Sequence, residues 1–190
     1  MRKKSPPPPA AKRRLPGEKD HDALLARIIR VNHAGEFGAQ RIYAGQLSVL
    51  GNSKVGPAIR HMARQEDEHL AAFEKLMADY QVRPTALHPL WRVAGFALGA
   101  ATARLGEKAA MACTVAVEEV IDAHYGQQLA ALEGRNEPEL RRMIAKFRAD
   151  EKEHEMSGRA HGATEAKGYL LLRALIRAGS KTAIWLSERI

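Results

Sequence analysis

Four glutamates of this 190-residue chain fall on stripes that are otherwise apolar, and this restricts the fold more than any other feature. Glu36 continues the line of Ile29, Tyr43 and Leu47, and Glu118 the line of Met111, Val115, Ile121, Tyr125 and Leu129. Glu66 and Glu151 each head a Glu-x-x-His tetrapeptide, with His69 and His154 three residues on. That spacing on a helix puts both side chains on one face. Ile59, Met62, Phe73 and Met77 flank the first pair, and Ile144 and Phe147 precede the second. Burying an isolated carboxylate costs more than a domain's net stability, so these groups are neutral, paired or metal-bound.

The faces exist only if the chain is helical, and its sequence reads that way. Ala, Leu, Glu, Arg and Lys dominate, apolar residues recur at three and four, and no period-two strand stands out. Helices are expected over 22–50, 56–80, 88–105, 107–133, 136–161 and 166–188. The breaks are Gly51-Asn52-Ser53 with Pro57, Arg83-Pro84, Gly106, Gly134-Arg135-Asn136 with Pro138, and Gly162. Asn136 is expected to cap the fifth helix, with Pro138 in its first turn. Gly45 sits inside the first helix and weakens its local propensity.

Glu-x-x-His alone says little, because a chain with 8 His and this many Glu yields roughly one copy by chance. A third copy, Glu18–His21, lies at the edge of a polar tail and is set aside. The order carries more. Glu36 to Glu66 spans 30 residues and Glu118 to Glu151 spans 33; the two halves are offset by 82, 85 and 85 residues at the Glu, Glu and His positions. Each half is thus a helix pair with the same groups at matching places. Four carboxylates and two imidazoles in this order are the donor set of ferritin-like di-iron and di-manganese bundles. The expected fold is all-α, a ferritin-like four-helix bundle with two additional apolar or amphipathic helices. Hard carboxylates with two imidazoles favour iron or manganese, and zinc stays open.

Composition narrows the class further. The single cysteine, Cys113, lies in the apolar run AAMACTVAV and reads as a core thiol; one Cys excludes an internal disulfide, a zinc ribbon and a self-contained iron–sulfur cluster. A reducing, intracellular setting follows as an expectation. The net charge of +8 divides into +5 over residues 1–20, +4 over 166–190 and −1 between. Both basic segments are terminal and aromatics are only 5%, so anionic membrane suits this chain better than nucleic acid. Residues 1–21 read as a disordered, basic, proline-rich tail without a signal-peptide core, and 22–190 as one domain. The most apolar stretch, 93–103, is too short to span a bilayer. Arg173, Arg177 and Lys181 form a basic stripe on the last helix beside Leu171, Leu172, Leu175, Ile176, Trp185 and Leu186. It is read either as a solvated edge or as a membrane-surface helix.

Several neighbours take supporting readings. His33 precedes Glu36 by three and reads as structural or as support for a ligand. Glu68, Glu119 and Glu153 point away from the carboxylate face and read as solvated or ion-paired. Asp150 is placed to orient a histidine from the facing helix. Tyr125 shares the face of Glu118 and lines a pocket or packs in the core, while His124 beside it has no clear place. Gly35, Gly38 and Gly45 allow close approach of substrate or of another helix.

The segments NHAGEFGAQRIYAGQ, QEDEHLAAFEKLM, AVEEVIDAHYGQQL and FRADEKEHEMSG resemble the demethoxyubiquinone hydroxylases of ubiquinone biosynthesis. The similarity runs over about residues 25–190 and is most specific in the first segment. It implies a ferritin-like bundle with two iron ions per chain, dioxygen as co-substrate and ring hydroxylation of a demethoxylated polyprenyl quinol. By the resemblance, Glu36 and His69 are terminal ligands of one iron and Glu118 and His154 of the other, with Glu66 and Glu151 bridging. The His124-Tyr125 pair also resembles a family feature near the site. A peripheral position on membrane follows, on the cytoplasmic face of a bacterial cell membrane before the mitochondrial inner membrane. Partner proteins of ubiquinone biosynthesis and an oligomer are compatible with it. An NADH-derived reductant is implied, although no Gly-x-Gly-x-x-Gly fingerprint is present. Two other readings use the same residues: a ferroxidase or iron-handling protein, and a metal-free helical adaptor at membrane.

Overall fold

The computed structural model describes residues 23–190, so the expected tail over 1–21 lies outside the described residues. Six α-helices follow in order: α1 Ala23–Leu50, α2 Gly56–Tyr80, α3 His88–Arg104, α4 Glu107–Ala131, α5 Pro138–Ala160 and α6 Tyr169–Ser187. A short 3₁₀ turn, Ala163–Glu165, precedes α6, and no strand occurs among the described residues. α1 pairs with α2 and α4 with α5 to make the four-helix bundle. α3 lies along α1 and α6 along α4, which makes them the two additional helices. The all-α ferritin-like expectation holds.

Two helix starts lie two or more residues from the sequence reading. Asn136 does not cap α5: Glu137 holds the cap position without a side-chain cap bond, and Pro138 opens the helix. A proline biases the residue before it away from helical backbone, so the helix starts at the ring itself. α6 begins at residue 169 rather than 166, because Gly168 (φ 69°) turns into left-handed backbone that ends any earlier helical run.

Gly45 does not interrupt α1. It lies where α3 crosses, and a Cβ there would strike the backbone of Phe96 and Ala100. Gly99 is the reciprocal contact, with the Ile42 backbone where its Cβ would be. Small residues on both helices bring α1 and α3 into backbone contact, which fixes α3 as the roof over the first helix.

Packing repeats the two-fold pattern. The 82-residue offset that carries Glu36 to Glu118 also carries Asn32 to Thr114 and Gln46 to Gln128. Buried Gln46 donates to Thr114 Oγ1 at 3.4 Å and to the Ala110 carbonyl at 3.1 Å, while Gln128 and Asn32 exchange bonds of 2.7 and 2.8 Å. These polar ties join α1 to α4, with Gln46 Oε1 left without a partner. Apolar clusters close both ends of the bundle: Tyr43, Ile59, Met62, Met111 and Val115 at one, and Ile28, Phe73, Leu132, Ile144 and Phe147 at the other. Cys113 is buried in a third cluster, and burial pushes its thiol up to about 12, as a core thiol requires.

Candidate metal centre

Between the two apolar plugs, α1, α2, α4 and α5 bring Glu36, Glu66, His69, Glu118, Glu151 and His154 together, all buried. They form two overlapping groups, Glu36–Glu66–His69–Glu151 and Glu66–Glu118–Glu151–His154, each with its ligand-type atoms within 4.8 Å of one another. His69 Nδ1 lies 3.5 Å from Glu36 Oε2 and 3.3 Å from Glu151 Oε1. His154 Nδ1 lies 3.2 Å from both Glu66 Oε1 and Glu151 Oε2. Glu66 and Glu151 belong to both groups, so each sits between two clusters of donors.

Satisfaction of these atoms decides what the cluster suits. Glu36 Oε2, both oxygens of Glu66 and Glu151, Glu118 Oε2, and Nδ1 of His69 and His154 are buried without a hydrogen-bond partner. Orphaned polar atoms are rare in protein interiors, and eight of the twelve found among the described residues belong to these six residues. Burial, then repulsion from Glu151 and Glu36, pushes the Glu66 carboxyl well above the carboxylate range. Burial and Glu151 do the same to Glu118. Glu151 is also pushed upward by burial, yet the neighbouring imidazoles of His154 and His69 outweigh that and hold its carboxyl at about 2. Burial lowers His69, but Glu151 and Glu36 outweigh it and raise the imidazole to about 10. Four carboxyls crowd against only two imidazoles, and the upward push on Glu66 and Glu118 marks a site short of positive charge. Divalent metal ions on this donor set would supply it and would satisfy the eight atoms.

The surrounding residues fall as follows. Asp150 Oδ2 stands 3.0 Å from His69 Nε2. Tyr125 donates to Glu36 and Tyr43 to Glu118 Oε1, the latter at 2.7 Å. His124 Nε2 meets Gln128 Nε2 at 2.8 Å, and burial lowers its affinity for a proton. His33 joins neither group; it stacks on His88 with ring centroids 5.6 Å apart. Glu68 and Glu153 are exposed, and Glu119 is ion-paired to Arg159, Arg173 and Arg177. Two arginines of the α6 stripe therefore point at an internal partner and form no free basic edge. Sequence reasoning missed Tyr43 and Gln65, whose Oε1 lies 3.0 Å from His154 Nε2. The repeat offered the signal: Tyr43 follows Glu36 by seven residues, as Tyr125 follows Glu118.

An apolar cavity of about 370 Å³ opens beside the cluster between α1, α3, α4 and α6. Glu36 and Tyr125 lie in its wall, with His124, Trp91, Gly35 and Gly38. A Cβ on Gly35 or Gly38 would meet nothing within 4 Å, so the space there exists because side chains are missing.

The family model for the ubiquinone biosynthesis protein COQ7 matches residues 23–187. The chain belongs to the COQ7 family. It is 55% identical over 182 residues to a 3-demethoxyubiquinol 3-hydroxylase of Rhodospirillum rubrum, covering 95% of this chain and 85% of that protein. A human mitochondrial NADPH-dependent 3-demethoxyubiquinone 3-hydroxylase is 53% identical over 171 residues, covering 88% and 79%. The yeast mitochondrial 5-demethoxyubiquinone hydroxylase is 40% identical over 184 residues, again covering 88% and 79%. COQ7 membership and the buried Glu/His cluster agree on a metal-dependent hydroxylase fold.

Proposed function

We propose that this chain, through a domain spanning residues 22–190, hydroxylates the ring of demethoxyubiquinol in ubiquinone biosynthesis, using two iron ions and dioxygen. One observation carries the reading: the cluster of orphaned carboxylates and imidazoles borders an apolar cavity, and Glu36 belongs to both. Names of the relatives at 55% and 53% identity support the same substrate. Glu36 and His69 would hold one iron and Glu118 and His154 the other, with Glu66 and Glu151 within reach of both. When bound, the ferrous pair supplies electrons to activate dioxygen.

The chain's own residues do the rest. Gly35 and Gly38 leave room for a planar ring against α1, and the apolar walls keep water from the reacting carbon. Tyr125 holds the Glu36 carboxylate in the same wall. His124, tied through Gln128 to Asn32, gives that wall a fixed polar edge. A reduced nicotinamide dinucleotide is the ultimate reductant, in keeping with the NADPH dependence in the human relative's name.

A polyprenyl substrate needs access from lipid. Leu170, Leu171 and Leu175 on α6 are 76%, 66% and 63% exposed, and Leu90, Val93 and Phe96 on α3 are exposed too. No helix among the described residues is long and apolar enough to cross a membrane, so this helix pair lies on the bilayer peripherally. The cytoplasmic face of a cell membrane is the location this reading favours; partner proteins of the pathway and a second copy compete for the same surface. Vesicles containing anionic lipid should bind the wild type and lose a variant with all three α6 leucines changed to serine.

The deciding experiment is metal analysis with Mössbauer spectroscopy, paired with a demethoxyubiquinol assay under oxygen. About two coupled irons per chain and hydroxylated product are expected, and Glu66→Ala should lose both together. Iron stored well beyond two per chain would favour the ferroxidase. A harmless or stabilising Glu66→Ala in iron-free protein would favour the adaptor, since removing an unpaired buried charge relieves its host.

A further inference from the structure

The internal two-fold of the bundle is broken at a pair of positions that each touch an imidazole. The 85-residue offset that carries Glu66 to Glu151 and His69 to His154 also carries Gln65 to Asp150. Asp150 on α5 accepts from His69 on α2, and Gln65 on α2 accepts from His154 on α5, each across 3.0 Å at Nε2. A carboxylate only accepts, so Nε2 of His69 carries a proton and Nδ1 is the nitrogen left facing the cluster. Gln65 orients His154 in the same sense with a neutral amide oxygen.

The two acceptors are not equal. A charged acceptor pulls harder on the imidazole proton, making the opposite nitrogen a stronger metal donor. The cation nearest Asp150 is Lys146, at 3.9 Å and largely in solvent, where screening weakens its hold. The two ends differ in outlook as well. Glu36 lines the cavity, whereas Glu118 is shut in by Tyr43, whose hydroxyl also contacts Met62 Sδ at 3.7 Å.

Resting on the metal-centre reading above, we propose that the two metal positions are inequivalent by construction: the one completed by Glu36 and His69 binds more tightly and fills first. Asp150 is the positioning residue responsible. The metal beside the cavity is then the last to be lost.

The test is titration of the metal-free full-length protein with cobalt(II), followed by visible absorption and calorimetry. Two events separated by roughly 10- to 100-fold in affinity are expected. Asp150→Asn should weaken the tighter event and spare the other. Gln65→Glu should tighten the weaker one, a gain that misfolding cannot imitate. His154→Ala should keep the tighter event and His69→Ala should abolish it. Two events of equal affinity in the wild type, or unchanged constants in both Asp150→Asn and Gln65→Glu, would overturn the inequivalence while leaving the metal centre intact. A protein that binds no cobalt would overturn the metal centre and this inference with it.

Discussion

Tyr43 on α1 donates a 2.7 Å hydrogen bond to Glu118 on α4, across 75 residues of chain. Tyr125 on α4 donates in return to Glu36 on α1. Each phenol stands two helical turns beyond its own glutamate and reaches the other helix's, as an antiparallel pair permits. Burial, then the neighbouring glutamates, raises both phenols well above their ordinary range, so both remain donors at any physiological pH.

Removing either hydroxyl leaves a buried carboxylate oxygen without its donor. Tyr43→Phe and Tyr125→Phe should each lower stability by about 1–3 kcal/mol. Urea unfolding of the metal-free protein measures this, and wild-type midpoints for both would show that the bonds contribute nothing.

Glycines on α1 and α3 should separate packing from access. Gly99→Ala places a Cβ against the Ile42 backbone, which cannot step aside cheaply, and should cost about 1–3 kcal/mol. Gly35→Leu extends into open cavity, so it should fold and keep its metal while kcat/KM for the quinol falls at least tenfold. Normal turnover in Gly35→Leu would mean that the ring binds elsewhere.

Glu119 fastens α6 to the bundle through Arg159, Arg173 and Arg177. The arginines are partly in solvent, which tempers the loss, and Glu119→Gln should cost about 1–2 kcal/mol. Amide exchange along α6 should accelerate before exchange along α2 does. Uniform acceleration across all helices would argue against a local fastening.

Acid should destabilise the fold through His33. Burial, then the charge of His88, lowers this imidazole from 6.5 to about 4. The unfolded chain takes up its proton near pH 6.5 and the folded chain only near 4. His33's contribution is therefore intact above pH 6.5 and is lost as the pH falls to about 4, roughly 2 kcal/mol after solvent screening. His33→Gln should flatten that part of the stability–pH curve; an unaltered slope would place the acid sensitivity elsewhere.

Helices, breaks and the six clustered residues were legible in the sequence, because each depends on short-range spacing. Three residues put Glu66 and His69 on one face whatever surrounds them, and apolar neighbours make that face an inward one. The repeat between halves then told which faces must meet. Other features depend on distances between elements, which no spacing along the chain encodes. Tyr43 read as one more apolar-stripe residue until α4 brought Glu118 to its hydroxyl. Arg173 and Arg177 read as a surface stripe until α6 lay against Glu119. The cavity is a gap left where Gly35 and Gly38 face α3 and α6, and a gap is a property of packing. Local periodicity thus chose the helices and their chemistry; the close approach of α3 to α1 and of α6 to α4 decided which side of the cluster opens to a substrate.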